Sequence, residues 1–270
     1  MREVLFVAYS SRTDALALLE GVAKELEESG VHHRAHVIAS DGATPEISHD
    51  TIVVSLGGDG TFLHAARLAH SGDATVLGVN LGRVGFLLPV NPSELLEAIN
   101  GALLGTLPIE QRVVLEVITP SNGRHVAVNE VVLERAQPGH MVRVRAQING
   151  DNLMTYSADG VMVATPTGST GYNFSAGGPV LGTDLSSFVL TPVAPHFTID
   201  RSIVVGSDSE IELHAVDRPA VIVADGEQRA TIEPGDHIVI RRSPRSVKVG
   251  TPTNYGFGAR LRHSLREGHA

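Results

Sequence analysis

The chain has 270 residues, 42% of them hydrophobic, enough to bury one large core or two modest ones. A formal net charge of -9 argues against nucleic acid or an anionic membrane as partner, since both call for a basic face, and the absence of cysteine excludes disulfides, iron–sulfur clusters and thiolate zinc sites. The first apolar run, Val4 to Ala8, ends in polar Tyr9-Ser10-Ser11-Arg12, and no later run approaches the ~18 apolar residues of a spanning helix, so a cytoplasmic location is expected.

Val4 to Ala8 reads as a first strand, Asp14 to Glu28 as an amphipathic helix and Val31 to Ile38 as a second strand. Thr51 to Leu56, apolar and β-branched, runs into Gly57-Gly58-Asp59-Gly60-Thr61, and a helix is expected from Phe62 to Ala69. In that turn the glycines lack the Cβ atoms that would hold an anion off the peptide N–H groups, and a helix N-terminus places partial positive charge behind them. Gly57, Gly58, Gly60 and Thr61 are therefore the candidate phosphate loop, although neither the Walker nor the dinucleotide glycine pattern is present. A tight left-handed turn with no ligand would have the same composition. Asp59 tips the balance, because a carboxylate inside a phosphate-binding turn repels its own ligand unless it has a task, such as taking a hydroxyl proton or orienting magnesium. The turn reads as phosphoryl transfer.

Thr75 to Asn80 adds a buried strand, and Asn91-Pro92-Ser93-Glu94 opens a helix through Leu104 with a cap, a proline at the first position and an acid three residues on, ended by Gly105. From Ile109 the texture changes to short β-branched or alternating runs. These are Val113 to Ile118, Val126 to Leu133, Val142 to Ile148, Val161 to Ala164, Ser202 to Val205, Ile211 to Ala215, Ala220 to Val223, His237 to Ile240 and Val247 to Gly250. Turn pairs such as Asn122-Gly123 and Asn149-Gly150 separate them. The expected fold is an α/β N-terminal domain, Rossmann-like, with the glycine turn after a buried strand, followed by an all-β C-terminal domain. After Pro252, Phe257, Leu261 and Leu265 recur at a spacing of four, the pattern of a short helix.

A second block, Asp159 to Pro179, joins a buried strand to a loop packed with hydroxyls, glycines and one aromatic, Thr165-Pro166-Thr167-Gly168-Ser169-Thr170-Gly171-Tyr172-Asn173-Phe174-Ser175-Ala176-Gly177-Gly178-Pro179. Hydroxyls and amides suit ribose and amide hydrogen bonds, and Tyr172 offers a stacking face. Together with the glycine turn, the Asn129-Glu130 pair, Asn80 to Leu87 and Thr191 to His196, this block resembles the NAD kinase family over nearly the whole chain.

The resemblance implies phosphorylation of the 2′-hydroxyl of the adenosine ribose of NAD, with Asp59 as catalytic base, ATP or polyphosphate as donor and Mg2+ accompanying the donor. No permanent metal cage is expected, since the thirteen histidines are scattered. It implies NAD contacts at Asp59, Gly60, His64, Asn129 and Glu130, at His140 and Ser157, at Asp159, Thr167, Thr170, Gly171, Tyr172, Asn173, Phe174 and Ser175, and at Glu227. Glu227 stands where the family has glutamine, Ser157 where a long basic side chain can occur, and Gly171, Asn173 and Phe174 depart from the commoner residues of the loop. From the residues alone, Asn129 could be a strand-end residue with Glu130 solvated, His64 a helix-face residue and Asp159 a turn cap. The tail is implied to return to the first domain, giving an α/β phosphate-binding domain of 1–105 plus 252–270 and an all-β NAD-binding domain of 106–251. A homo-oligomer, dimer or tetramer, is implied too. Two other readings are a lipid or sugar kinase sharing the glycine turn and a non-catalytic NAD-binding module.

Overall fold

The computed structural model describes residues 2–38, 44–82, 87–196, 199–252, 256, 258 and 261–262. In chain order the elements are β1 (Glu3–Tyr9), α1 (Thr13–Glu28), β2 (His33–Ile38), β3 (Thr51–Gly57), α2 (Asp59–Ser71), β4 (Thr75–Asn80), α3 (Leu95–Leu104) and β5 (Ile109–Arg112). Then come β6 (Leu115–Ile118), β7 (Arg124–Ala127), β8 (Glu130–Arg135), β9 (Val142–Ile148), β10 (Asp151–Ala158), β11 (Gly160–Ala164), α4 (Tyr172–Ser175), β12 (Ser187–Val193) and β13 (Ile203–Gly206). The last are β14 (Ile211–Ala215), β15 (Ala220–Ala224), β16 (Glu227–Ile232), β17 (His237–Arg242) and β18 (Val247–Gly250). The chain divides into two compact units, Met1–Arg112 with Val247–Ala270, and Val113–Ser246.

In the first unit a six-stranded sheet has the order β2-β1-β3-β4-β18-β5, parallel except for β5. Every residue of β3 is buried, which is why its sequence is a continuous apolar run rather than an alternating one. Val54, Leu56, Leu77 and Val79 share one core with Val22 and Leu26 of α1 and with Leu95 and Ile99 of α3. Gly78 points to the opposite face, where a Cβ would meet Phe62 of α2 at 2.9 Å and Leu88 at 2.9 Å. α2 therefore covers that other face, making three layers. The capping box at Asn91 and Glu94 is formed, and Gly105 closes α3 at φ 72, as expected. The first turn, Pro92–Glu94, is 3-10 rather than α-helical.

The second unit has two six-stranded antiparallel sheets, β10-β9-β14-β17-β6-β7 and β13-β12-β11-β8-β15-β16. Alternate residues of both, among them Val131, Leu133, Val144, Val161, Val163, Phe188, Leu213 and Ile222, form one core. β11 is buried along its length because its other face is covered too: Met162 and Ala164 pack with Val132 and with Ala176 beyond α4.

The boundaries expected at 106 and 252 fall instead at 113 and 247. Val247–Gly250 has the β-branched texture of the β unit, but it pairs parallel with β4 and antiparallel with β5, so both strands belong to the first sheet. The expected run Val126 to Leu133 breaks at Val128-Asn129 into β7 and β8, and β10, β12 and β16 are strands that no sequence run announced. In the tail helix expected over Phe257 to Leu265, Gly258, Leu261 and Arg262 are helical, whereas Phe257 and Leu265 lie outside the described residues.

Because a Cβ at Gly78 would press on both Phe62 and Leu88, Gly78→Ala is expected to destabilise the fold by about 1–3 kcal/mol, measured as a lower urea midpoint at unchanged slope.

Candidate functional site

In the first unit β1 lies between β2 and β3, so the strand order reverses there, and the turn after β3 opens at the carboxyl ends of the strands beside that reversal. Open α/β sheets bind ligands in such places. Gly58 is the N-cap of α2 in extended backbone, and the helix starts at Asp59, three residues earlier than expected, which puts the Asp59 carboxyl in the first helical turn. A Cβ at Gly57 would overlap the Thr61 side chain, while Gly58 and Gly60 have nothing within 4 Å. Packing therefore explains the first glycine, and the other two leave backbone open to an approaching group.

Burial raises the Asp59 pKa, opposed by a hydrogen bond from the Leu87 backbone N–H and by the charge of Arg112. Its Oδ1 is buried and makes no hydrogen bond. Arg112 is fully buried, ion-paired to Glu110 at 3.2 Å, with its guanidinium carbon 6.0 Å from the centre of the Phe62 ring. His64 lies one turn along α2 from Gly60 and stacks on His36 of β2, ring centres 5.6 Å apart. Arg83 to Phe86, part of the stretch that carried the resemblance, lie outside the described residues.

In the second unit the break between β7 and β8 builds the site. Val128 and Asn129 belong to neither strand, and Asp225 and Thr165 take over their hydrogen bonds. The Asp225 carboxylate accepts from the backbone N–H groups of Val128 (2.9 Å), Asn129 (2.7 Å) and Glu130 (3.4 Å). On the other side the Thr165 hydroxyl donates to the Val128 carbonyl at 2.7 Å and the Thr165 N–H to that of Asn129 at 2.8 Å. The Thr165 hydroxyl also accepts from the Gly168 N–H at 3.0 Å, bending the loop back onto Asn129 so closely that any Cβ on Gly168 would overlap the Asn129 carbonyl. A Cβ on Gly171 would lie 3.4 Å from Asn129 Nδ2 and 3.5 Å from Glu130 Oε2. Both side chains thus end beside Gly171, and neither Asn129 Oδ1 nor Glu130 Oε2, both buried, has a hydrogen-bond partner. Burial, and secondarily the Asp225 charge, push the Glu130 carboxyl up to about 7.

Along the loop, Thr167 is buried and Thr170 half-buried, the Thr170 hydroxyl donating to the Thr167 carbonyl at 3.3 Å. Tyr172, Phe174 and Ser175 are exposed. Asn173 is different. Its Nδ2 donates to the carbonyls of Ser169 (3.2 Å) and Pro179 (3.0 Å) and its Oδ1 accepts from the Thr191 hydroxyl (2.7 Å), so its side chain is spent on holding the loop rather than offered to a ligand.

Beside the loop is a cavity of about 360 Å³ lined by Val132, Glu134, Arg135, Asp159, Tyr172 and Gln228 among others. Asp159 is ion-paired to Arg135 at 2.9 Å, not used as a turn cap. Burial and the carboxylates Glu134, Asp159 and Glu130 raise the Tyr172 pKa, keeping its hydroxyl a donor. His140 is exposed and lines a separate hollow of about 90 Å³ with Arg135, Met141 and Arg218. Ser157 is half-buried and its carbonyl accepts from the His196 N–H at 2.7 Å. Glu227 is turned to Arg229 at 2.7 Å, and its neighbour Gln228 lines the larger cavity instead. Among the described residues no cluster of three or more His, Asp or Glu could hold a metal ion.

Asp225, Thr165, Arg112 and His36 were not singled out in the sequence as site residues. The Asp225-Gly226 turn was the available signal: both residues have positive φ (48 and 76), the geometry of a tight hairpin between β15 and β16.

The ATP-NAD kinase N-terminal domain family model matches residues 5–106 and the ATP-NAD kinase C-terminal domain model residues 128–250. The NAD kinase of Corynebacterium diphtheriae is 36% identical over 288 residues, covering 98% of this chain and 91% of its own. That of Porphyromonas gingivalis is 40% identical over 82% of this chain and 78% of its own. Among solved structures, an NAD kinase from Archaeoglobus fulgidus in complex with ATP superposes with a TM-score of 0.74 at 25% identity, over 96% of this chain and 99% of that one. Yeast NADH kinase complexed with NADH shares the fold, with a TM-score of 0.80 at 21% identity, over 98% of this chain and 87% of that one.

Glu130 is harder to ionise folded than unfolded, so the stability its neutral form permits is complete below about 4.5 and is lost as pH rises through about 7. Glu130→Gln, neutral throughout, should be more stable than the unaltered protein by about 1–3 kcal/mol above that range, a difference vanishing in acid. Urea titrations at each end of the range measure it.

Proposed function

The chain belongs to the NAD kinase family, and we propose that it transfers a phosphoryl group from ATP to the 2′-hydroxyl of the adenosine ribose of NAD, giving NADP. The observation that carries the residue assignment is Asp59: a buried carboxylate oxygen without a hydrogen bond, in the first turn of a helix, between glycines open to a ligand. Such an oxygen is placed to accept the acceptor hydroxyl's proton as the bond to phosphorus forms. Burial raises its pKa, which strengthens it as a base, and the Leu87 N–H and Arg112 oppose the shift, which favours its ionised form. The amides at Gly57, Gly58, Gly60 and Thr61 would meet phosphate oxygens. His64, held by its stack on His36, would contact NAD from the same helix.

In the second unit Asn129 and Glu130 would take sugar hydroxyls, since their buried free oxygens need donors and both end beside Gly171. Tyr172 would stack on a ring of NAD, and Asp159, with Thr167, Thr170 and Ser175, would supply the polar contacts around it. For Asn173, Gly171 and Phe174 a backbone contact is the remaining role. His140 and Ser157 would make outlying contacts, and at the Glu227 position we assign the contact to Gln228. Mg2+ would ride on the donor's phosphate oxygens and balance their charge. Inorganic polyphosphate presents the same oxygens and is a second candidate donor. A cytoplasmic homo-oligomer, dimer or tetramer, remains our expectation, and no helix among the described residues is long and apolar enough to cross a membrane.

Incubation with NAD, Mg2+ and either ATP or polyphosphate should yield NADP. Phosphorylation of diacylglycerol or fructose 6-phosphate in its place would overturn the reading. Asp59→Asn should lower turnover by roughly 10²-fold or more with NAD affinity little changed, because shape is kept and the proton acceptor is removed. Tyr172→Ala should weaken NAD binding by about 1–3 kcal/mol in calorimetry, the scale of a base stacked on an aromatic ring; an unchanged affinity would make Tyr172 a bystander.

A further inference from the structure

Asp225 stands outside every ligand contact assigned above, and yet its carboxylate sits against the backbone of the Asn129-Glu130 step. Its carboxylate spans three successive N–H groups, Val128, Asn129 and Glu130, while its own N–H donates to the Glu130 carbonyl at 3.0 Å. Ala224 is the last residue of β15, paired with Val131, so the ladder between β15 and β8 runs out one step before Glu130. From there on the carboxylate does what a strand would have done. It holds the backbone by charge-assisted bonds that a strand could not supply at a hairpin turn.

The hairpin is shaped for this. Positive φ at Asp225 and Gly226 is a conformation that aspartate tolerates better than most residues, and it turns the side chain back over the neighbouring strand. A serine could reach one amide and an alanine none.

We propose that Asp225 is a positioning residue for NAD: by clamping the backbone of Val128, Asn129 and Glu130 it fixes where the side chains of Asn129 and Glu130 meet the ligand's sugar hydroxyls. This rests on the NAD kinase reading above. The carboxylate acts a second time through space. Among the described residues, the charged neighbour that raises Glu130 is Asp225 on the hairpin turn, Glu130 in turn raises Tyr172 on α4, and β11 sets apolar Ala164 and Val163 opposite Glu130 and Val131. The negative charge of Asp225 adds to burial in holding Glu130 protonated toward neutral pH, so the ligand meets a carboxyl whose protonation state Asp225 helps to set.

The test is steady-state kinetics of the unaltered enzyme, Asp225→Asn and Glu130→Gln from about pH 5.5 to about pH 8.5. Asp225→Asn keeps the side chain's size, but sets an amide N–H2 against backbone donors. It should raise KM for NAD roughly tenfold while kcat and KM for the donor change by less than about threefold. In kcat/KM for NAD the unaltered enzyme should have a pH midpoint that Glu130→Gln lacks, which identifies it as Glu130's. In Asp225→Asn that midpoint should move to lower pH, because one of the two causes raising it is gone. A profile and KM that superpose on those of the unaltered enzyme would overturn the proposal. So would an equal loss in kcat and both KM values with the midpoint unmoved, the signature of general damage to the fold. Should Asp225→Asn fail to fold, Asp225→Ser, which can still serve one amide, is read by the same criteria. If the unaltered enzyme itself forms no NADP, it is the functional reading that fails.

Discussion

Two peptide units without a strand partner, Val128 and Asn129, are the constraint around which the second unit's part of the site is organised. Their N–H groups go to the Asp225 carboxylate and their carbonyls to the hydroxyl and N–H of Thr165, one residue from each flanking strand's end. Regular pairing would have turned Asn129 and Glu130 alternately to the two faces of the sheet. Glu130 opens β8, paired with Ala164, whereas Asn129 lies just outside the ladder, and both side chains end beside Gly171 with buried oxygens unsatisfied. An unsatisfied buried oxygen costs on the order of 1–3 kcal/mol, so the fold carries this arrangement as a cost that a ligand's hydroxyls can remove.

The first unit obtains a comparable result by other means. A strand buried on both faces delivers the glycine turn, and the helix that starts inside that turn lifts Asp59 into a place where burial raises its pKa. Arg112, itself sealed from solvent and paired with Glu110, offsets part of that shift. In each unit burial raises the pKa of a carboxyl and one charged neighbour adjusts it: Arg112 lowers Asp59, whereas Asp225 raises Glu130. The opposite signs suit opposite tasks. A proton acceptor has to stay ionised, and a group that meets sugar hydroxyls gains from being able to donate as well.

What could be read from the sequence divides along local and non-local lines. The strand before the glycine turn, the capping box at Asn91 and the αL glycine after α3 are set by neighbours in sequence, and they are where the sequence placed them. The strand Val247–Gly250 looks like the β unit by texture, and only its pairing with β4 and β5, far apart in sequence, assigns it elsewhere. The resemblance placed Asn173 among the NAD contacts. Its three hydrogen bonds to Ser169, Pro179 and Thr191 could not be foreseen without the loop's path. The Asp225-Gly226 pair has the local sequence of a hairpin turn, but the reach of Asp225 to three amides about a hundred residues earlier is not a local property.

The central claim is that the Asn129-Glu130 step and the Thr165 to Ser175 loop form one NAD-binding surface whose buried polar groups wait for the ligand. Hydrogen exchange of the backbone amides with and without saturating NAD tests this most directly, because ligand bonds to that surface suppress the local openings through which its amides exchange. Protection should appear at Val128 to Val131 and through Thr165 to Ser175, with β9 and β14 unchanged. Saturated NAD binding with unaltered exchange in both segments would contradict the account.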